Sequence, residues 1–358
     1  MNEPSFCRRC SSKKFVKKGK VFTNTMKGVW KQKYQCLDCG FKFSGNTLHI
    51  SEPMPFVYQS KPVPSQDWVA YTKAQNVQKL KLMDLVTELM DLLEFRISKS
   101  VGRNNVDFKE MLFCMLLKTY TRMPSRKLIS DLQIAKDRGL IQNVPHFTTI
   151  MNYFGDERFT YILHTLIRIS ALPLRPVERD FSADSSGFSS SQFGRWFDHK
   201  FGKEVEKRHF LKAHFWVGVK SNVITAVEIT DESGSDYSQF IPLLNKTKID
   251  FNIKEVSADK AYLGKSNLEA VAAIDATPYI PYKSNTIPKR NVGHIWNKMY
   301  WHFKNNPQKW GEHYHKRSNV ESTFNMVKQA FSGSLMTKNN TANVNEILCN
   351  GVNPFFGQ

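Results

Sequence analysis

Between Tyr314 and Lys328 the chain reads YHKRSNVESTFNMVK, and the spacing of its polar side chains decides how the rest is read. Counting from Glu321, Tyr314 stands at −7, Arg317 at −4 and Lys328 at +7. At about 100° per residue on a helix, those four side chains fall within roughly 60° of arc, one stripe of one face. The stripe offers a carboxylate flanked by two cations and a phenol. Arg grips a phosphate through a bidentate fork, Lys supplies a point charge, and Tyr stacks on a base or donates a hydrogen bond. That combination suits a phosphate backbone held beside metal ions.

Upstream of this helix the pattern is rich in strands. FSADSSGF, HFLKAHFWVGVK, VITAVEIT and KEVSADKAY read as β-branched and aromatic strands bounded by polar turns. SDYSQFIPLLNKT and SNLEAVAAI between them have helical spacing, so an α/β domain is expected. Asp184 lies where the first strand is expected to end in a Ser-Ser-Gly turn, and Asp259 at the close of the fourth. If those strands are neighbours in one sheet, their ends share a crevice. Phosphodiester cleavage by two divalent ions needs several carboxylates converging on ions about 3.5 to 4 Å apart, and magnesium-type ions prefer such oxygen ligands. Asp184, Asp259 and Glu321 supply three. Taken singly, an Asp in a turn is more often a cap or a surface group; the joint pattern with the stripe carries the reading. Lys212 and His214, in FLKAH, would share one strand face and are weaker candidates, because a lone His is more often structural.

Charge names the partner. Lys plus Arg number 51 against 32 Asp plus Glu, a net charge of +19. Such a chain is expected to meet a polyanion, and double-stranded nucleic acid is the first candidate. An anionic membrane competes, but the longest apolar run, Met111 to Leu117, falls far short of the roughly 20 residues that span a bilayer. No secretory signal is visible at the basic N-terminus, so a cytoplasmic, nucleoid-associated location is expected.

Four of the six cysteines fall into two tight pairs, Cys7 with Cys10 and Cys36 with Cys39. A Cys-x-x-Cys turn supplies two thiolates, and two such turns close a tetrahedral site for one structural zinc ion. Phe15, Phe22, Tyr34 and Phe41 could cover the small core, and Gly40 suits the turn after the second pair. Lys13, Lys14, Lys17, Lys18, Lys20, Lys27, Lys31 and Lys33 would give this module a positive field for tracking phosphates. Residues 1–60 are therefore expected as a zinc ribbon, followed by a connector over 61–76.

Residues 77–176 are expected to be all-α. Leu80, Met83, Leu85, Val86, Leu89 and Leu92 recur at threes and fours, and Met111 to Leu117 is the heart of another helix. Pro124 to Leu140 and Pro145 to Phe154 could form a helix-turn-helix, or a plain helical spacer, with Arg126 and Lys127 on phosphates either way. Residues 177–335 make the α/β domain, with 283–310 expected as a loop or insertion and 336–358 as a tail. Cys114 is expected in the core.

The segment from Tyr314 to Lys328 fills every position of the Tyr-x2-Arg-x3-Glu-x6-Lys signature and resembles DDE transposases of prokaryotic insertion sequences, the group-four and group-five superfamily. Asp184 resembles that family's first-strand aspartate, and DKAY at Asp259 to Tyr262 its second. The resemblance implies a multidomain chain with an RNase H-like catalytic domain and a site holding two Mg2+ or Mn2+ ions on Asp184, Asp259 and Glu321. It also implies that Tyr314, Arg317 and Lys328 bind DNA phosphates. The expected function is cleavage and strand transfer of element-end DNA into target DNA, by a homodimer on the DNA. Two alternatives are an RNase H-like nuclease without strand transfer and a non-catalytic zinc-ribbon regulator.

Overall fold

The computed structural model describes residues 6–7, 9–23, 29–44, 67–93, 107–190, 210–286 and 293–352. Two compact units make up the chain, Met1–Asp67 and Trp68–Gln358. Three domains and a connector were expected; of the connector, 61–66 lie outside the described residues, and its remainder from Trp68 onward is already helical.

The first unit is a three-stranded antiparallel sheet of β1 (Phe15–Thr23), β2 (Val29–Cys36) and β3 (Lys42–Ser44), in that order. Its core is small: Cys7, Tyr34, Cys36 and Phe43 are buried, with Phe15 and Cys39 packed against them. Phe43 fills the position expected of Phe41, which stacks on it from outside at 6.2 Å. The Phe22 side chain and all of Lys27 lie outside what is described.

In the second unit, helices α1 (Trp68–Asp91), α2 (Phe108–Thr121), α3 (Ser125–Asp137), α4 (Phe147–Phe154) and α5 (Glu157–Ala171) precede a five-stranded sheet. Its strands are β4 (Asp180–Ser189), β5 (Phe210–Gly218), β6 (Ile224–Thr230), β7 (Glu255–Ala258) and β8 (Thr277–Tyr279), ordered β6-β5-β4-β7-β8. β5 pairs antiparallel with both β4 and β6, whereas β7 runs parallel to β4 and β8. Helix α6 (Asp236–Thr247) links β6 to β7, and α7 (Lys265–Ala272) links β7 to β8. After them come α8 (His294–Asn305), α9 (Pro307–Tyr314), α10 (Ser318–Phe331) and α11 (Asn340–Val352). The result is a mixed sheet of three antiparallel strands followed by two parallel ones, with helices around it, as expected of the α/β domain.

Both faces of the sheet are covered, which is why its strands read as near-continuous apolar runs. Ala213, Phe215, Val217 and Val227 face a core shared with α2, α5, α10 and α11. Trp216, Ala226, Val256 and Ala258 face the opposite core, filled by Phe240, Leu244, Leu268 and Val271. The helices of the middle region therefore join one core with the sheet, and Cys114 is buried there as expected. Residues 138–146 between α3 and α4 make a longer connection than the three or four residues of a tight helix-turn-helix.

Two stretches depart from expectation. Residues 283–310 contain α8 and the start of α9, with Met299, Tyr300 and Trp310 packed on the sheet's second core. Within the expected tail lies α11, whose Ile347, Leu348, Cys349 and Val352 are wholly buried; only 353–358 fall outside the described residues. Buried asparagines hide its apolar period. The Asn345 amide donates to the carbonyls of Phe154 (2.8 Å) and Asp156 (3.2 Å), tying α11 to the α4–α5 corner.

Candidate active site

The two aspartates meet through strand register. β4 and β7 pair in parallel from Asp180↔Glu255 to Ala183↔Ala258, so Asp184 and Asp259 are the next residue on each strand. β7 stops there, and Asp259 caps the following 3-10 turn, Lys260–Tyr262, accepting from the Lys260 N–H at 2.7 Å. β4 does not end in the expected turn: it runs through Ser185, Ser186 and Gly187 because β5 continues to pair with it, Ser185 opposite His214. Asp184 is thus held inside a strand, at the edge of the crevice that β7 leaves open. Burial pushes its carboxyl up from the usual range, opposed by the Ser185 N–H (2.8 Å) and Arg317, while Asp259 adds a like charge.

Glu321 reaches the same crevice from α10. Val320, Thr323, Phe324, Val327 and Phe331 form the buried face of that helix, and Phe324 stacks on Phe215 of β5 at 4.2 Å. Glu321, in the first turn, remains half-exposed beside the sheet edge. The stripe read from sequence is built from three pieces instead of one helix: Tyr314 ends α9, Arg317 closes a 3-10 turn over His315–Arg317, and only Glu321 and Lys328 lie on α10. Tightening to 3-10 geometry leaves the stripe intact.

Arg317 is the hub. Its guanidinium donates to Asp184 at 2.9 Å and to Glu321 at 2.6 Å, and its Nε to the Tyr314 hydroxyl at 3.3 Å. Lys328 donates to the Ser186 hydroxyl at 2.7 Å and lies 5.3 Å over the Phe188 ring. Tyr314, Arg317, Glu321 and Asp184 are therefore brought together, Asp259 is felt by Asp184 as a neighbouring charge, and Lys328 of α10 meets β4 two residues beyond Asp184, at Ser186. Two carboxylates share one cation, and the third, Asp259, stands at the matching register position on the neighbouring strand, all of them oxygen donors of the kind hard divalent ions prefer. The three acids do not yet converge: among the described residues only the cysteine cluster has its ligand atoms within 4.8 Å of one another.

The weaker candidates fall behind the site. Lys212 pairs with Asp236 at 2.7 Å. His214, wholly buried, contacts the Tyr262 hydroxyl (3.3 Å), the Thr230 hydroxyl (3.1 Å) and Asp236 (3.3 Å). Burial lowers its pKa to about 4, with Asp236 raising and Lys212 lowering it, so the ring stays neutral near pH 7. The folded pKa lies below the ordinary 6.5, so the unfolded chain takes the proton first, and stability is lost as pH falls from about 6.5 to about 4. The expected loss at this site is up to about 3 kcal/mol. Urea unfolding at pH 7 and at pH 4.5 checks it: His214→Gln should show a smaller difference between the two than the wild-type chain.

A clamp on the strand starts escaped the sequence reading. Lys316 bridges Asp180 (2.7 Å) and Glu255 (2.6 Å), and His313 also pairs with Glu255 at 2.9 Å while stacking on Tyr279 at 4.5 Å. These contacts fix the segment that delivers Arg317 and Glu321. A signal existed, because Asp180–Asp184 reads DFSAD and Glu255–Asp259 reads EVSAD. The same acid, apolar, Ser, Ala, Asp pattern occupies matched positions on paired strands, one acid for the clamp and one for the crevice.

The first unit brings its four cysteines together. Cys7 and Cys39 sulfurs are 3.6 Å apart, and those of Cys10 and Cys36 are 3.5 Å apart. Each pair closes its turn alike: the Ser11 N–H bonds the Cys7 carbonyl (2.8 Å), the Gly40 N–H bonds the Cys36 carbonyl (3.1 Å), and both residues have positive φ. Burial works against a thiolate at Cys36, yet the backbone N–H groups of Cys39 and Asp38 help bring it down to about 7. Four convergent sulfurs fit a tetrahedral thiophilic ion. Lys13, Lys14, Lys17, Lys18 and Lys33 are exposed around them.

Residues 175–349 match the family model for the transposase DDE domain. No curated protein matches the chain significantly. Among solved structures, a chain of the cryo-EM structure of the simian T-cell lymphotropic virus intasome in complex with PP2A regulatory subunit B56 gamma is 16% identical, with a TM-score of 0.22. The match covers 59% of this chain and 65% of that one, under two thirds of its length. Among the described residues, no helix is long and apolar enough to cross a membrane.

Proposed function

We propose that this chain is a DNA transposase that cuts element-end DNA and joins the resulting 3′-hydroxyl to target DNA at the crevice of Asp184, Asp259 and Glu321. The observation that carries the reading is Arg317, which ties Asp184 on β4 to Glu321 on α10 at the open end of β7. In this reading Asp184, Asp259 and Glu321 hold two Mg2+ or Mn2+ ions, which supply Lewis acidity and charge neutralisation at the phosphate being transferred. Arg317 and Lys328 grip neighbouring backbone phosphates, and Tyr314 orients the Arg317 fork. Two in-line displacements follow. Water attacks the phosphorus, breaks its bond to the 3′-oxygen and leaves a 3′-hydroxyl; that hydroxyl then attacks a target phosphodiester and displaces its 3′-oxygen.

Zinc on Cys7, Cys10, Cys36 and Cys39 holds the ribbon, whose exposed lysines track DNA alongside α3 and α4. The working form is a homodimer that pairs two ends, located with the nucleoid in the cytoplasm. The test is to incubate the protein and Mg2+ with labelled element ends and a plasmid. Covalent joining of label to plasmid is expected. Cleavage without joining would make the protein a nuclease, and binding without cleavage a regulator.

A further inference from the structure

A second concentration of positive charge lies away from the crevice, in a cavity of about 180 Å3 where α2, α3, the end of α10 and α11 come together. At its wall is Lys118, on the last turn of α2 and only 5% exposed. A buried ammonium normally has a carboxylate partner, because an uncompensated one is costly. Among the described residues, the one hydrogen-bond partner of its Nζ is the Met336 sulfur at 3.9 Å. Ser125, on the same wall, likewise spends its hydroxyl on a sulfur, that of Met151 at 3.2 Å. Thioether sulfur is a weak acceptor, so both donors lack a strong one.

The one carboxylate in the lining, Glu346, is already engaged. It accepts from the N–H of Met336 (2.9 Å) and from the N–H (2.9 Å) and hydroxyl (2.8 Å) of Thr337, and no ion pair joins it to Lys118. Arg122 adds a second cation. It sits at φ 53 as the C-cap of α2, and this left-handed turn lets α3 begin at the cavity wall. The amino end of α3 receives no side-chain cap from Pro124, so a 13-residue helix presents its positive end there. Burial also pulls the Lys118 ammonium below its ordinary value, Glu346 offsetting this in part. An anion would supply what every one of these groups lacks.

We propose that this cavity is an anion site that takes one phosphate of the DNA backbone, gripped by Lys118, Arg122, Ser125 and the amino end of α3. The identity of the phosphate rests on the DNA reading above. Its place in the fold supports that source: Phe331 at the end of α10 lines the cavity, and Glu321 lies ten residues earlier on the same helix. At 1.5 Å per residue that is about 15 Å, or about four nucleotide steps along a strand, with Lys328 between.

The test uses the full chain, a labelled duplex and a salt series. Lys118→Met should weaken binding about tenfold or more and make the log–log salt dependence shallower by about one. Its thermal midpoint should match or exceed that of the wild type, since a buried charge is removed. In parallel, inorganic phosphate, at ionic strength held constant with chloride, should raise the wild-type midpoint and leave Lys118→Met unmoved. A folded variant with the wild-type salt slope and phosphate response overturns the site. Should Lys118→Met fail to fold, Arg122→Gln at the half-buried rim must show the same losses, or the proposal fails. A wild-type chain that binds no DNA refutes the functional reading and the DNA phosphate alike; a Lys118-dependent phosphate shift would then show the anion site standing without it.

Discussion

Alanine at Asp184, Asp259 or Glu321 is expected to lower metal-dependent cleavage of end DNA by at least about a thousandfold, the loss of several kcal/mol of charge stabilisation at the reacting phosphate. Binding should persist, because the groups assigned to the backbone, Arg317, Lys328 and the ribbon lysines, stay in place. The fold should persist too. Burial already disfavours the Asp184 carboxylate, so removing it relieves a cost, although Arg317 then keeps only Glu321 and Tyr314 as partners. Single-turnover cleavage in Mg2+, read beside a binding isotherm and a melting curve, separates these effects. A cleaving alanine variant at any of the three positions would end the assignment of that acid; a variant that neither binds nor melts cooperatively would mean the residue is structural.

Withdrawal of the zinc proposed for Cys7, Cys10, Cys36 and Cys39 is expected to be as severe for the first unit. Among the described residues its core holds little besides Tyr34, Phe43 and Phe15, and two of its four buried members are the cysteines themselves. So small a core does not offset the conformational entropy of the strands around it, and metal binding becomes folding free energy. A strong chelator, or Cys36→Ser, should abolish the β signal of the unit in circular dichroism and the dispersion of its amide resonances. The second unit should melt as before. DNA affinity should fall and its salt dependence flatten, since the lysines would no longer share one surface. A chelated protein with an unchanged amide spectrum would show that the sulfurs hold no structural ion.

Much of this was legible in the residues. β-branched and aromatic runs bounded by polar turns located four of the five strands of the sheet, and offsets of −4 and +7 around Glu321 located the stripe, because helix geometry is the same for every sequence. Cys-x-x-Cys spacing is equally local. What the residues hid depends on partners distant in sequence. The continuation of β4 past Asp184 is decided by β5, the Lys316 clamp by two strand starts 75 residues apart (255 − 180 = 75), and the docking of α11 in part by Asn345, whose partners lie on the α4–α5 corner. The break of the stripe into α9, a 3-10 turn and α10 left no trace in spacing, since side chains three and four apart stay neighbours in either geometry.

The position of α11 has a bearing on synthesis. It is the last described helix, yet Ile347, Leu348, Cys349 and Val352 fill the space between α2, α5 and the sheet. Each such side chain contributes roughly 1.5 to 3 kcal/mol by leaving water. A ribosome will have released α2, α5 and every strand before these residues emerge, and until then the faces they cover stay open to solvent. A product that terminates between Phe331 and Asn340 retains Asp184, Asp259 and Glu321 but lacks the helix that closes the core around them. Such a fragment is expected to expose the faces that α11 covers and to be cut faster than the full chain, which limited proteolysis of the two side by side checks.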